Sequence, residues 1–180
     1  GSNGEIGQSL INQFNSNDII TLDITKANND KQHEHFIGSI LDNDILNKIY
    51  SKYEIIEVYH LAAILSTKAE KKPELAKEVN IMGTKNLLKI CSMQYTKNQK
   101  TIPFFFPSSI AVYNLLNKDS SQHVNEKQYC KTPHTIYGAS KLECERLGVT
   151  AGIQNAGIDF RCIRFPGIIS ATSMPRGGTS

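Results

Sequence analysis

The chain has 180 residues, 39% of them hydrophobic and 21% charged, with no Trp and a formal net charge of +3. That is the composition of a single globular domain with room for a core, and it excludes collagen, coiled coil and wholesale disorder. The longest apolar run, Ile55 to Leu65, is broken by Glu57 and His60 and falls short of the roughly 18 residues a membrane span needs, while Lys68, Lys71 and Lys72 interleave with Glu70 and Glu74 as a solvated helix face rather than a nucleic-acid footprint.

In chain order, Gly1, Gly4 and Gly7 form a GxxGxxG loop, followed by a helical pattern with Ile6, Leu10, Ile11 and Phe14 on one face. Asp18 to Asp23 reads as a short buried strand and Phe36 to Leu41 as another. Ile45, Leu46, Ile49 and Tyr50 share the face of the next helix. Ile55 to Ala63 reads as a third strand. A long helix is predicted from Pro73, which suits a first-turn position, to about Gln94. Ile102 to Ser108 reads as a fourth strand, and the run Phe104-Phe105-Phe106 as core. Residues Asn114 to Thr132 are polar and aperiodic and read as a surface loop near the site. A second long helix is predicted from Thr135 to about Asn155, then a fifth strand from Ile158 to Phe165. Strands alternating with helices predict an α/β fold, a Rossmann-like doubly wound parallel sheet, with residues 1–180 as one NAD(P)-binding domain. The glycine loop has no strand ahead of it, and Pro175 to Ser180 is a loop with nothing after it. The sheet is therefore expected to be incomplete at both ends.

Glycines in such a loop let the backbone turn tightly and approach a pyrophosphate. Asp23, at a strand end 16 residues beyond Gly7, near the usual spacing of about 20, is placed to accept from a ribose 2′-OH and to repel a 2′-phosphate, selecting NAD over NADP. No Arg stands at Thr25 to receive that phosphate. A turn-capping Asp is the alternative. Asp42, after Leu41, either reaches an adenine amino group or is a turn residue. In Tyr137-Gly-Ala-Ser-Lys141 the four-residue spacing places phenol and ammonium on one helix face. A nearby ammonium is expected to lower the phenol pKa, so that Tyr137 takes the proton from an alcohol while hydride leaves for NAD. Lys141 can also hold a nicotinamide ribose, and Ser108-Ser109 at a strand end can orient the substrate oxygen. An ordinary helix surface pair is the alternative. Cys91, Cys130, Cys144 and Cys162 form no C-x-x-C pair and read as free thiols of a reducing compartment. Only His33 and His35 are closely spaced, so no metal is assigned. The sequence has neither a G-x-S-x-G elbow nor a Walker loop, and hydrolase and NTPase chemistry have no support.

With these motifs the chain resembles the extended short-chain dehydrogenase/reductase superfamily, with a closer likeness to short-chain-type L-threonine 3-dehydrogenases. GSNGEIG, HLAAILS (from His60), VNIMGTKNLL (from Val79), PSSIAVY (from Pro107), YGASK and RFPGIIS (from Arg164) carry it. The resemblance implies Tyr137 as catalytic base, Lys141 as its partner and Ser109 as catalytic hydroxyl. It implies NAD held by Gly1, Gly4, Glu5, Ile6, Gly7, Asp23, Leu41, Asp42, Leu61, Ala62, Ala63, Asn80, Ser108, Tyr137, Lys141 and Pro166. Ser66, Ser109, Tyr137 and Thr179 would face the substrate. The implied reaction oxidises the L-threonine β-hydroxyl to 2-amino-3-ketobutyrate. The implied assembly is a homodimer through the two long helices, intracellular in the cytoplasm or the mitochondrion, with no nucleic-acid or membrane partner. A nucleotide-sugar epimerase or dehydratase, and a truncated inactive NAD-binding module, are the alternatives. Asn114 stands where many relatives carry Gly, and a C-terminal substrate region of on the order of 100 residues is expected beyond Ser180 by the resemblance and the usual size of a domain.

Overall fold

The computed structural model describes residues 1–27, 33–113, 132–154 and 157–167. Residues 114–131 of the predicted loop, Cys130 within it, Asn155 and Thr179 lie outside the described residues. In chain order come α1 (Glu5–Ile11), β1 (Ile20–Asp23), β2 (Glu34–Ile37), α2 (Asn43–Lys52), β3 (Val58–Tyr59), α3 (Ser66–Lys71), α4 (Pro73–Lys77), α5 (Gly83–Asn98), β4 (Ile102–Ser109), α6 (Ile136–Ile153) and β5 (Ile158–Phe165). A π-helical turn, Glu78–Met82, joins α4 to α5.

Every strand pair is parallel. β1 pairs with β2, and β4 lies between β3 and β5. The two ladders do not bond each other. An apolar groove of about 370 Å³ separates them, lined by Ile20 and Leu22 of β1, Val58 of β3, Leu10 of α1 and Leu46 of α2 among others. The doubly wound order thus runs β2-β1, groove, β3-β4-β5.

The core sits between β4, β5, α5 and α6. Buried and half-buried residues alternate along β4. Ile102, Phe104 and Phe106 face Leu88 and Cys91 of α5, Cys144 of α6 and Ile158 of β5. Phe105 points the other way, its ring 5.8 Å from Tyr59 and 6.5 Å from Phe165. Only two of the three phenylalanines are therefore fully core, as the period of two along a strand requires.

β3 is much shorter than the predicted Ile55 to Ala63, and the prolines of β4 supply the reason. The His60 amide donates to the Phe105 carbonyl, and the Ile102 amide to that of Gly157. Odd-numbered residues of β4 therefore turn their peptide groups toward β3. Pro103 and Pro107 occupy two of those positions and have no N–H to offer. Only Val58 and Tyr59, opposite Phe104 and Phe105, complete a ladder. The second predicted strand also shifts, to Glu34–Ile37. Gly38 closes onto the Asp23 carbonyl at 2.8 Å, and Asp42 then caps α2.

Both long helices start where their caps predict. Pro73 is at the first turn of α4, and the Thr135 hydroxyl accepts from the Gly138 amide at 2.9 Å. The helix from Pro73 continues through the π-turn to Asn98, past the expected Gln94. No helix among the described residues is long and apolar enough to cross a membrane.

Candidate active site

The glycine turn packs at the carboxyl ends of β1 and β3. The Gly1 nitrogen donates to the Leu22 carbonyl at 2.8 Å. A Cβ on Gly1 would stand 2.4 Å from the Ala62 nitrogen, and one on Gly7 would stand 2.4 Å from the Ser2 carbonyl oxygen. Only hydrogen fits at either place. Gly4 and Glu5 are exposed and Ile6 is half-buried in the first turn of α1.

Asp23 ends β1 and is tied to this turn. Its carboxylate accepts from the Asn3 amide at 3.0 Å and from the Thr25 amide and hydroxyl at 3.1 and 3.0 Å. Burial pushes the Asp23 pKa up, but the Asn3 and Thr25 hydrogen bonds outweigh it and hold the group below its usual value. The Asn3 side chain latches the same corner, donating to the Thr25 hydroxyl and the Lys26 carbonyl, each at 2.6 Å. A tight glycine turn, an uncovered Gly4 and an ionised acceptor at the strand end fit the adenosine diphosphate half of a dinucleotide. Asp42 is exposed, and its Oδ1 accepts from the Asp44 and Ile45 amides at 3.0 and 3.1 Å. Its visible work is helix capping, the turn-residue alternative.

α6 carries the other half of the site along one face. Lys141 is 4% exposed, and its ammonium donates to the Pro107 carbonyl at 2.6 Å. That nitrogen lies 4.5 Å from the Phe106 ring centroid and 5.6 Å from the Tyr137 ring centroid. The Ser109 hydroxyl accepts from the Ala111 amide at 3.2 Å and lies close enough to the Tyr137 phenol to act on its pKa. Phenol, hydroxyl and ammonium, expected together from the sequence, do converge. The expected drop in the phenol pKa does not occur in this arrangement. Burial pushes Tyr137 up from 10, and the Ser109 hydroxyl only partly opposes it. The same burial brings Lys141 down to about 8, with Cys144, Cys162 and Glu145 pulling the other way. The ammonium is committed to a carbonyl rather than facing the crevice.

Two residues expected at the cofactor turn away from it. Ser108 is buried, and its hydroxyl donates to Glu145 Oε1 at 2.5 Å. Asn80, in the π-turn, is also buried. Its Oδ1 accepts from the Ile64 amide at 2.7 Å, and its Nδ2 donates to the Ile64 carbonyl and the Ser140 hydroxyl at 3.1 and 3.0 Å. Asn80 thus fixes the loop carrying Leu61, Ala62 and Ala63, which are half-buried beside the glycine turn. Ser66 opens α3 and is half-buried, Leu41 is half-buried, and Pro166 is exposed just past β5.

Sequence reasoning missed the buried polar layer behind these groups. Thr84 donates to the Asn80 carbonyl at 2.6 Å. Its oxygen must then accept from His60 Nε2, 2.8 Å away, which assigns that tautomer. Burial first, and the Lys141 charge second, push His60 down to about 3, so it stays neutral. Glu145 accepts from Arg164 Nε and Nη2 at 2.9 and 2.7 Å as well as from Ser108. Its signal was present in the sequence: an acid four residues beyond Lys141 on the face that packs inward. Among the described residues no three His, Cys, Asp or Glu side chains group as metal ligands, and Cys91, Cys144 and Cys162 are free thiols.

Parallel strands, a glycine turn, a strand-end acid and a Tyr/Lys/Ser group define a Rossmann-like dinucleotide-binding domain. The chain matches the NAD dependent epimerase/dehydratase family over residues 1–179 and belongs to it. It is 32% identical over 189 aligned residues to the mitochondrial L-threonine 3-dehydrogenase of Bos taurus, spanning 100% of this chain and 47% of that one. A monomeric L-threonine 3-dehydrogenase from a metagenome, in its apo form, superposes with a TM-score of 0.81 at 35% identity, over 99% of this chain and 56% of that one. The UDP-glucose 4-epimerase of Thermotoga maritima gives a TM-score of 0.83 at 21% identity, over 100% of this chain and 58% of that one, a likeness of fold alone. The chain spans about half the length of the relatives it matches.

Proposed function

We propose that this chain carries the dinucleotide site and the proton-transfer group of an NAD-dependent dehydrogenase that oxidises L-threonine at its β-hydroxyl to 2-amino-3-ketobutyrate. The observation that carries the reading is the convergence of three groups: the Tyr137 phenol, the Ser109 hydroxyl that acts to lower its pKa, and the Lys141 ammonium 5.6 Å from the Tyr137 ring centroid. NAD, when bound, supplies the hydride acceptor. The Gly1–Gly7 turn and Asp23 hold its adenosine half, with Asp23 disfavouring a 2′-phosphate. Ser109 holds the substrate oxygen, and Tyr137 takes its proton as the carbonyl forms. Lys141, turned from Pro107 toward the crevice, keeps a positive charge that stabilises the Tyr137 phenolate before it takes the proton, and reaches the nicotinamide ribose. The high phenol pKa of the closed-in site supports a base that is armed only when that charge swings in. Ser66 and Thr179 are assigned to the amino acid. Pairing of two chains through α5 and α6 belongs to the same reading, supported by the exposed Val149 and Ile153 on α6.

The test uses the full-length protein with NAD and L-threonine. NADH absorbance should rise only when both are present, and a flat trace would defeat the reading. NAD that survives purification together with turnover of a nucleotide sugar would favour the epimerase alternative instead.

A further inference from the structure

Three residues on one face of α6 are spaced by single turns: Tyr137, Lys141 and Glu145. The first two have roles in the reaction proposed above. The third is 8% exposed, a costly place for a carboxylate unless it is fully paired. It is fully paired. Both oxygens take the guanidinium of Arg164 in β5, and Oε1 also takes the Ser108 hydroxyl at 2.5 Å, a charge-assisted contact of the short kind. Arg164 is in turn stacked, its guanidinium carbon 4.9 Å from the Tyr113 ring centroid. Burial raises the Glu145 pKa, but Arg164 and then Ser108 outweigh it and keep the carboxylate ionised.

We propose that Glu145 is a positioning residue for the Tyr137–Ser109 pair, acting through Ser108. Ser108 and Ser109 are consecutive on β4, so their side chains leave opposite faces of the strand end. Pinning Ser108 to α6 fixes the peptide that aims Ser109. Because the pin lies on the helix that carries Tyr137, it sets the distance between phenol and hydroxyl directly. Arg164 and Tyr113 lock the pin from β5 and from the turn after β4. A carboxylate serving only to neutralise Arg164 would need no Ser108, and Ser109 would then be aimed by the strand alone.

The inference rests on the proposed reading, and the test separates the two. In the full-length protein, Glu145→Gln should lower kcat by about 10- to 100-fold while leaving the threonine KM and the NAD dissociation constant within about threefold, the signature of an interaction lost mainly in the transition state. Ser108→Ala should lower kcat in the same way. Combined, the two changes should cost no more than about twofold beyond the worse single variant, because residues acting as one unit are non-additive. Glu145→Asp should recover part of the loss. The proposal is overturned if Ser108→Ala leaves kcat unchanged, if the two losses multiply, or if KM and the NAD dissociation constant rise in step with the fall in kcat. If Glu145→Gln fails to fold, Ser108→Ala alone decides. If the wild type turns over no threonine, the functional reading fails, and amide hydrogen exchange takes over as the readout for the pin. Exchange across residues 108–113 should then quicken in both single variants while β1 and β2 are unaffected, and unchanged exchange there overturns the inference.

Discussion

The two halves of the site are built on different principles. Around Tyr137 and Lys141, the groups rest on a packed core and on a layer of buried, hydrogen-bonded polar side chains running from His60 Nε2 through Thr84 and Asn80 to Ser140. Around Asp23, short backbone and side-chain hydrogen bonds hold an exposed corner, and the apolar groove lies beneath it. On the proposed function, the packed half presets geometry for chemistry, and the corner sets affinity and cofactor choice with little stake in the core. Variants in the first half should therefore change rate or stability, and those in the second should change binding.

The largest separation is expected from Tyr137→Phe. Removing a positioned acid–base group should reduce kcat by about 10²- to 10⁴-fold with NAD affinity little changed, measured by initial rates and by titration of the bound cofactor. A near wild-type rate would remove Tyr137 as the base. Next, Phe104→Ala should lower unfolding free energy by about 3–5 kcal/mol, since the ring is fully buried in the β4 core. Urea melts measure it, and a loss under 1 kcal/mol would mean the core is looser than its packing indicates.

Lys141 gives a pH test with a definite sign. Its folded pKa, about 8, is below the ordinary 10.5. Between those values the unfolded chain binds the proton and the folded chain does not, so stability should rise with pH across that window and be lowest below it. The rise is worth up to about 3 kcal/mol if the shift acts alone. Lys141→Met should be more stable than wild type at neutral pH, lack that rise, and be inactive. Melts at either end of the window would show a surviving slope if another group were responsible. The smallest effect is expected at the corner. Asp23→Ala should weaken NAD binding about tenfold, roughly the 1–2 kcal/mol of one or two hydrogen bonds to a charged group, and raise relative affinity for NADP. Unchanged preference would separate Asp23 from cofactor choice.

Legibility followed the same division. α6, β4, β5 and the Pro73 helix could be read from caps and from periodicity, because local pattern and final environment agree there. The Tyr/Lys/Ser convergence followed from spacing plus strand ends. β3 was overread because its apolar run says nothing about the two prolines on its partner. β2 slid because Gly38 and the Asp42 cap compete with strand pairing at that point. The inward turn of Ser108 and Asn80 was not legible, since it depends on which partner across the fold offers a carboxylate or a free peptide. Glu145 could have been found by extending the Tyr-Lys spacing one more turn. The phenol pKa was not legible either, since spacing shows the neighbouring charge but not the burial that raises it.

The π-turn at Glu78–Met82 has a last consequence. Such a turn houses one surplus residue relative to a regular helix and is found frequently at functional sites. Removing one residue there would let α4 and α5 fuse into an uninterrupted rod, swinging the segment ahead of it by about 100° relative to the rest. The trimmed helix would lose no stability of its own, yet the amide of Asn80 could no longer meet both Ile64 and Ser140. Loss of a single codon at this place would thus turn buried Ala76 of α4 out of its packing and break the Asn80 contacts together.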